Sequence, residues 1–306
     1  NLYYYLSNHY FFQFLVHKSM KSKAFQVYKK YIIYFANLKY KSNRKRKYSF
    51  DYYITNFLHI LNDVTKWNSL ALINKNANTY HWKTIYNEYN KWCKDDIFMI
   101  AYKHFISEHY FKLSKLKHNK KINLFIDVTK INNKYGSDGI GVNIEYKKKN
   151  VSSLTVICDE NKIPLAFKCI ENKNIYRKKK THQHEIKNVQ QTIDTISVDL
   201  DKVKINIIGD KGYVTKEKFR IGKKKISIIT PVKKNQKKVN TIEELKLLKQ
   251  RHKIENLFAT LKNSERISIR KERNMKNYMG FICLGCLQYL FRYNETHLNA
   301  DINLPK

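Results

Sequence analysis

The residues of this chain best suited to chemistry are three carboxylates and two cations. Arg251, Glu255 and Lys262 share the stretch Arg-His-Lys-Ile-Glu-Asn-Leu-Phe-Ala-Thr-Leu-Lys. On an ideal helix, Arg251 to Glu255 advances about 40° and Glu255 to Lys262 turns back by about 20°. The three are therefore expected to project together, opposite an apolar stripe of Leu245, Leu248, Ile254, Leu257, Phe258 and Leu261. Asp127 closes the run Asn-Leu-Phe-Ile-Asp, and Asp210 follows Ile-Asn-Ile-Ile-Gly. Both runs read as buried strands, and ligands gather at the carboxyl edge of such strands. Taken singly, each aspartate is an ordinary strand-end cap, and Arg251 with Glu255 is a surface ion pair worth roughly 0.3–0.5 kcal/mol. Taken together, three carboxylates can hold two hard divalent cations beside positive charges that steady phosphate, which is the equipment of phosphodiester chemistry. A Walker-type glycine-rich loop is missing, which argues against nucleotide hydrolysis as the main activity. His182, His184 and His252 have ligand-like spacing but are expected on the surface or behind the ligands.

The elements that must position these groups form a mixed pattern. Strand-like runs occupy Ile122–Ile126, Ser153–Cys158, Ile163–Ile170, Lys204–Ile208 and Ile226–Ile229, with a helical stretch over about His184–Ser197. Thr241 with Glu244 makes a capping box at the start of the Arg251–Lys262 helix. Strands interleaved with helices predict a mixed α/β domain. Upstream, Ser49 is an N-cap for a helix carrying Phe50, Tyr53, Phe57, Leu61 and Val64. A second helix from about Thr79 carries Trp82, Ile85, Tyr86, Tyr89 and Cys93. A third from about Asp95 carries Ile97, Phe98, Ala101, Phe105 and Ile106. This triplet fits a helix-turn-helix module and a plain bundle alike. A charged break at Lys115–Lys121 divides the helical part from the strand-rich part, and no internal repeat is found.

The 306 residues carry a formal net charge of +35, so a polyanionic partner is expected. Abundant Lys, Asn, Ile and Tyr with 8 Gly and 3 Pro is also what A+T-rich coding DNA produces. Apolar residues make up 42% of the chain, too many for a disordered basic tail. Arginine is more selective. Nine arginines stand against fifty-one lysines, yet Arg251, Arg266, Arg270 and Arg273 fall in one short segment. Because guanidinium grips phosphate bidentately, this cluster predicts a DNA-backbone contact zone. Five scattered cysteines indicate a reducing compartment, and Cys283 with Cys286 is expected to be core. Leu2–Val16 and Tyr278–Phe291 are too short and interrupted to span a bilayer, and neither has the flanks of a signal peptide. The chain begins with Asn1 rather than methionine, as a portion of a longer product would.

Arg251-x3-Glu255-x6-Lys262 resembles the Y-x2-R-x3-E-x6-K signature of bacterial-type insertion-sequence DDE transposases. Asp210-Lys-Gly212-Tyr213 is similar to that family's D-x-G-Y around its second aspartate, and Asp127-Val-Thr-Lys-Ile to the segment holding the first. Gly139-Ile-Gly141-Val-Asn143 with Lys147–Lys149 resembles the G-x-N and lysine-rich pattern that follows. The resemblance covers about Asn123–Tyr293, and more loosely Phe50–Leu113. Leu248 stands where the signature has tyrosine, and His184-Glu185 where His-Asp is common. The short span from Asp210 to Glu255 leaves no room for a large inserted β-domain.

The resemblance implies a ribonuclease H-like mixed sheet flanked by helices, preceded by a small all-α domain. It divides the chain into a basic arm (1–48), a helical DNA-binding domain (49–118), a catalytic domain (119–295) and a tail (296–306). It further implies that Asp127, Asp210 and Glu255 bind Mg²⁺, or Mn²⁺ in its place, and catalyse cutting of transposon ends and joining of the 3′-hydroxyl to target DNA. Arg251, Lys262, Arg266, Arg270 and Arg273 would contact DNA, and Tyr213 would touch it near the cut, although ordinary packing after the strand-end turn fits Tyr213 equally. The implied partners are double-stranded terminal inverted repeats and target DNA, with a homodimer assembled on them and no membrane. The implied location is the cytoplasm, at the nucleoid, or the nucleus or a viral factory in a eukaryotic host. Two other readings remain: a ribonuclease H-like nuclease without strand transfer, and an inactive, domesticated DNA-binding derivative.

Overall fold

The structure, a computed structural model, describes residues 23–41, 48–62, 66–70, 81–115, 121–143, 149–170, 182–232 and 239–297. Leu2–Val16, Val64, Thr79, Lys147 and the greater part of the expected basic arm and tail lie outside them. By backbone contacts the chain forms two compact units: 1–102 with 264–267 and 276–306, and 103–263 with 268–275.

The first unit is helical. It contains α1 (Lys23–Lys39), α2 (Phe50–Asn62), α3 (Trp82–Lys94), the first part of α4 (Ile97–Ser114) and most of α9 (Met275–His297). Ser49 caps α2 as expected, its Oγ accepting the Tyr52 N–H at 3.2 Å. Phe57 meets Tyr89, Trp92 and Phe98 edge to face, and all four rings are buried. Such rings contribute area and favourable quadrupole contacts. The hydroxyls of Tyr28 and Tyr89 donate to the Leu284 and Asn277 carbonyls of α9. Gly280 is the condition for that close approach, since a Cβ there would lie 2.5 Å from Cys93 Sγ. Cys283 and Cys286 are buried free thiols, as their apolar setting predicts. Among the described residues no helix is long and apolar enough to cross a membrane.

The second unit is a mixed sheet with helices. Its strands are β1 (Lys121–Asn133), β2 (Gly141–Asn143), β3 (Lys149–Asp159), β4 (Pro164–Ile170), β5 (Lys204–Ile208), β8 (Ile228–Ile229) and β9 (Ile269–Arg270), plus a separate hairpin of β6 (Phe219–Ile221) and β7 (Lys224–Ile226). The main path runs β2-β3-β1-β5-β8, with β4 beside β3 and β9 beside β1. β3 is antiparallel to β1, whereas β5 and β8 continue in parallel. The crossover from β4 to β5 carries α5 (His182–Ile193), which packs on β3 and β4. After a short α6 (Ile242–Leu248) comes α7 (His252–Lys262), which lies on β1, followed by the four-residue α8 (Glu265–Ser268) of the other unit. This mixed sheet flanked by helices, preceded by a helical region, is ribonuclease H-like.

Three local expectations change. The run Ile226–Ile229 is split, because β7 turns back onto β6 while β8 extends the main sheet. The capping box at Thr241 and Glu244 forms as expected, but its helix tightens at Lys249–Arg251 before α7 resumes. Leu245 is 48% exposed and no residue of α6 is buried, so the apolar stripe begins only at Ile254. The short strands β2, β6 and β9 escape prediction, being too brief to show a period.

Candidate active site

Parallel register brings the two aspartates into line. Phe125 on β1 pairs with Ile208 on β5, so Asp127 and Asp210 each lie two residues past the same rung. Asp127 does not end its strand, however. β1 continues to Asn133, paired with β3 through Asn132, while β5 stops at Ile208. Asp127 therefore lies where β1 outruns its parallel neighbour. Beyond that point the β5 side of the strand is unpaired until β9 joins at Asn132.

Both aspartates are held locally. Asp127 Oδ1 accepts the Val128 N–H at 2.8 Å, and Asp210 Oδ1 accepts the Gly212 N–H at 2.8 Å, capping the one-turn Lys211–Tyr213 helix. Glu255 is exposed in the first turn of α7. Burial pushes the Asp127 carboxyl up to about 6. The Val128 N–H and Arg251 oppose that rise, and the charges of Asp210 and Glu255 add to it. Asp127 thus feels the negative charges of both Asp210 and Glu255, weakly beside its own burial.

Arg251 Nη2 stands 3.6 Å from Asp127 Oδ2. At the other end of α7, Lys262 Nζ donates to the Lys130 carbonyl at 3.3 Å, and partial burial lowers its pKa. Both cations thus touch β1. They line the edge of the buried stripe formed by Ile254, Leu257, Phe258 and Leu261 rather than the side opposite to it. The helical angles agree: the stripe centres about 70° from Arg251, on the side away from Glu255. Replacing Arg251 with alanine removes the positive charge next to Asp127. The Asp127 carboxyl should then titrate above its value of about 6 in a carbon-detected NMR titration, and a downward move would refute the pairing.

The arginine cluster separates on folding. Arg251 is half-buried at the site and Arg273 is exposed. Arg270 is fully buried, with its guanidinium bonded to Asp138, Ser152 and the Glu272 and Arg273 carbonyls. Arg266 is 4% exposed, with its guanidinium about 6 Å from the Trp67 and Phe281 ring centroids. Neither Arg266 nor Arg270 presents its charge to phosphate, which corrects two of the expected DNA contacts. Spacing alone marked all four, because it cannot distinguish a buried guanidinium from an exposed one.

Tyr213 is also inside, at 1% exposure, its ring packed over Gly209, where a Cβ would meet Tyr213 Cδ2 at 2.9 Å. It supports the turn that presents Asp210 instead of reaching toward DNA. His252 is exposed, its Nδ1 3.0 Å from the Lys249 carbonyl, while His182 and His184 begin α5. Lys253 was not foreseen. The positive charge of Lys253 lowers, and the negative charge of Asp127 raises, the pKa of the Cys158 thiol, which burial pushes up.

A divalent cation suits this donor set by chemistry, since three carboxylates offer only hard oxygen and their mutual repulsion is relieved by positive charge. In the present conformation, among the described residues, no three His, Cys, Asp or Glu side chains converge closely enough to surround one ion. The guanidinium of Arg251 is the cation next to Asp127.

Residues 173–275 match the family described as a transposase DDE domain. The matched span contains Asp210, Arg251, Glu255 and Lys262 and stops short of Asp127. No curated protein matches the chain.

Proposed function

We propose that this chain, a DDE-type transposase, cuts DNA at the ends of its element and joins the freed 3′-hydroxyl to target DNA. The observation that carries this reading is geometric: Asp127 and Asp210 lie two residues past one shared rung where β1 outruns β5, and Arg251, one turn before Glu255, stands next to Asp127. Those three residues would hold Mg²⁺, or Mn²⁺ in its place. Two such ions, when bound, supply activation of water and stabilisation of the leaving oxygen.

The chain's own residues do the rest. Burial raises the Asp127 carboxyl, and positive charge entering the site would favour its ionised form. Arg251 balances Asp127 in the free protein and is free to grip a phosphate bidentately when that carboxylate is engaged elsewhere. Lys262 exchanges a neutral carbonyl acceptor for a phosphate, a charge-assisted bond roughly twice as strong. Arg273 adds an exposed backbone contact. We assign DNA recognition to the helical segment 49–118 and catalysis to 119–295, with two copies assembled on paired double-stranded ends. The protein works wherever that DNA is, which in a bacterium is the nucleoid.

One observation favours a second reading, a DNA-binding derivative without catalysis: three ligands do not converge on one point among the described residues. An in vitro reaction with Mg²⁺ and DNA bearing the element's terminal inverted repeats separates the alternatives. Joined products support the transposase. Cleavage without joining indicates a nuclease, and a mobility shift without cutting indicates the derivative.

A further inference from the structure

The loop that follows β1 is built to hold one aromatic ring in solvent. Tyr135 is 56% exposed, and among the described residues no other Phe, Tyr or Trp is as open. A lone exposed ring is common and means little. This one stands on a rigid base. The Asn133 side chain spans the turn, accepting from Gly136 N at 2.9 Å and donating to Gly136 O at 3.1 Å. Lys134 N donates to the Arg270 carbonyl and Ser137 N to the Arg273 carbonyl, both at 2.9 Å. From beneath, the buried Arg270 guanidinium grips Asp138, whose other carboxylate oxygen accepts Met275 N at 3.0 Å. Gly136 makes this packing possible, because a Cβ there would lie 2.6 Å from the Arg270 guanidinium carbon.

Positive charge lies beside the ring. Lys134 Nζ is 5.3 Å from the Tyr135 ring centroid, and Arg273, whose carbonyl holds the loop, is exposed. A solvent-facing ring on a braced loop, with a lysine beside it in a chain of net charge +35, can stack a base and neutralise its flanking phosphates. A duplex hides its base faces, so the matching ligand is an unpaired strand. Six residues of β1 separate Asp127 from Asn133, which sets the loop on the order of 20 Å from the carboxylates, about six nucleotide steps.

We propose that Tyr135, with Lys134 and Arg273, is a contact for single-stranded DNA: the ring stacks on an unpaired base of a strand running away from the carboxylates, and the two cations hold its phosphates. The inference rests on the DNA-processing reading above. It also gives buried Arg270 a role, as the residue that fixes the platform rather than as a DNA contact itself.

The test compares two fluorescent DNAs, a blunt duplex and the same duplex with a single-stranded 5′ flank, binding to the full chain without divalent metal. The wild type should prefer the flanked DNA. Tyr135→Ala should lose roughly five- to a hundred-fold of affinity for the flanked DNA and little for the blunt one. Tyr135→Phe should keep the preference, and Lys134→Gln should reduce it with the ring in place. A wild type without preference, or Tyr135→Ala with the preference intact, overturns the inference. A wild type that binds neither DNA instead removes the DNA-processing reading itself. Because Tyr135 is exposed, all three variants should melt like the wild type, and that is checked alongside.

Discussion

Asp127→Asn should abolish strand cleavage and at the same time make the metal-free protein more stable at neutral pH. Asparagine keeps the shape and the oxygen that accepts the Val128 N–H, but it removes the negative charge. If Asp127 holds a catalytic ion, cleavage of end-bearing DNA falls on the order of a thousand-fold or more, while DNA binding persists. The stability effect follows from the raised pKa. Burial pushes the Asp127 carboxyl up to about 6 in the folded protein, well above the ordinary aspartate range. A raised carboxyl pKa means that the folded state favours the proton, so its stabilising contribution is complete below the unfolded value and is lost as pH rises through about 6. At pH 7 the wild type therefore carries an ionisation cost that the asparagine variant lacks, on the order of 1 kcal/mol or more. Near pH 4 the two proteins should unfold alike. Denaturant unfolding at both pH values, with cleavage assays, decides the matter. A purely structural aspartate would lose stability and activity together, and that result would sink the assignment.

Arg270→Ala should destabilise the protein by about 3–5 kcal/mol, the range for breaking a buried charged group's contacts. The side chain is fully buried and donates to Asp138, Ser152 and two backbone carbonyls. Truncation leaves these acceptors without donors and opens a cavity beneath the Gly136 turn. Arg270→Lys should recover only part of the loss, because an ammonium cannot reproduce the planar fork that reaches four partners. Midpoints of urea unfolding measure both effects, and a change under about 1 kcal/mol would contradict the clamp. The same variant serves as a control on charge. A buried guanidinium releases no counterion from DNA, so any Arg270 variant that folds should retain the wild-type salt slope of DNA binding.

The sequence by itself determined what short-range physics controls. The caps at Ser49 and at Thr241 with Glu244 are local hydrogen bonds, and they form where the residue types predicted them. β5 spans Lys204–Ile208 as expected, because three β-branched isoleucines in five residues, closed by Gly209, favour a short strand. The burial of Cys283 and Cys286 follows in the same way from their apolar surroundings. Residue type and spacing also single out the carboxylates and cations of the candidate site.

Tertiary structure decided where charge ends up. β1 extends well past Asp127 because β3 pairs with it through Asn132, a long-range ladder that no local pattern announces. Arg251 and Arg273 keep solvent access whereas Arg266 and Arg270 do not. That difference lies in which distant rings, carbonyls and carboxylates fold around each guanidinium. Leu245 and Tyr213 changed places in the same way: the apolar Leu245 is exposed among the described residues, and Tyr213 goes inside because Gly209 makes room. Residue type specifies what a side chain can bond to. Only the packed chain specifies what is there to be bonded, since desolvation depends on neighbours remote in sequence.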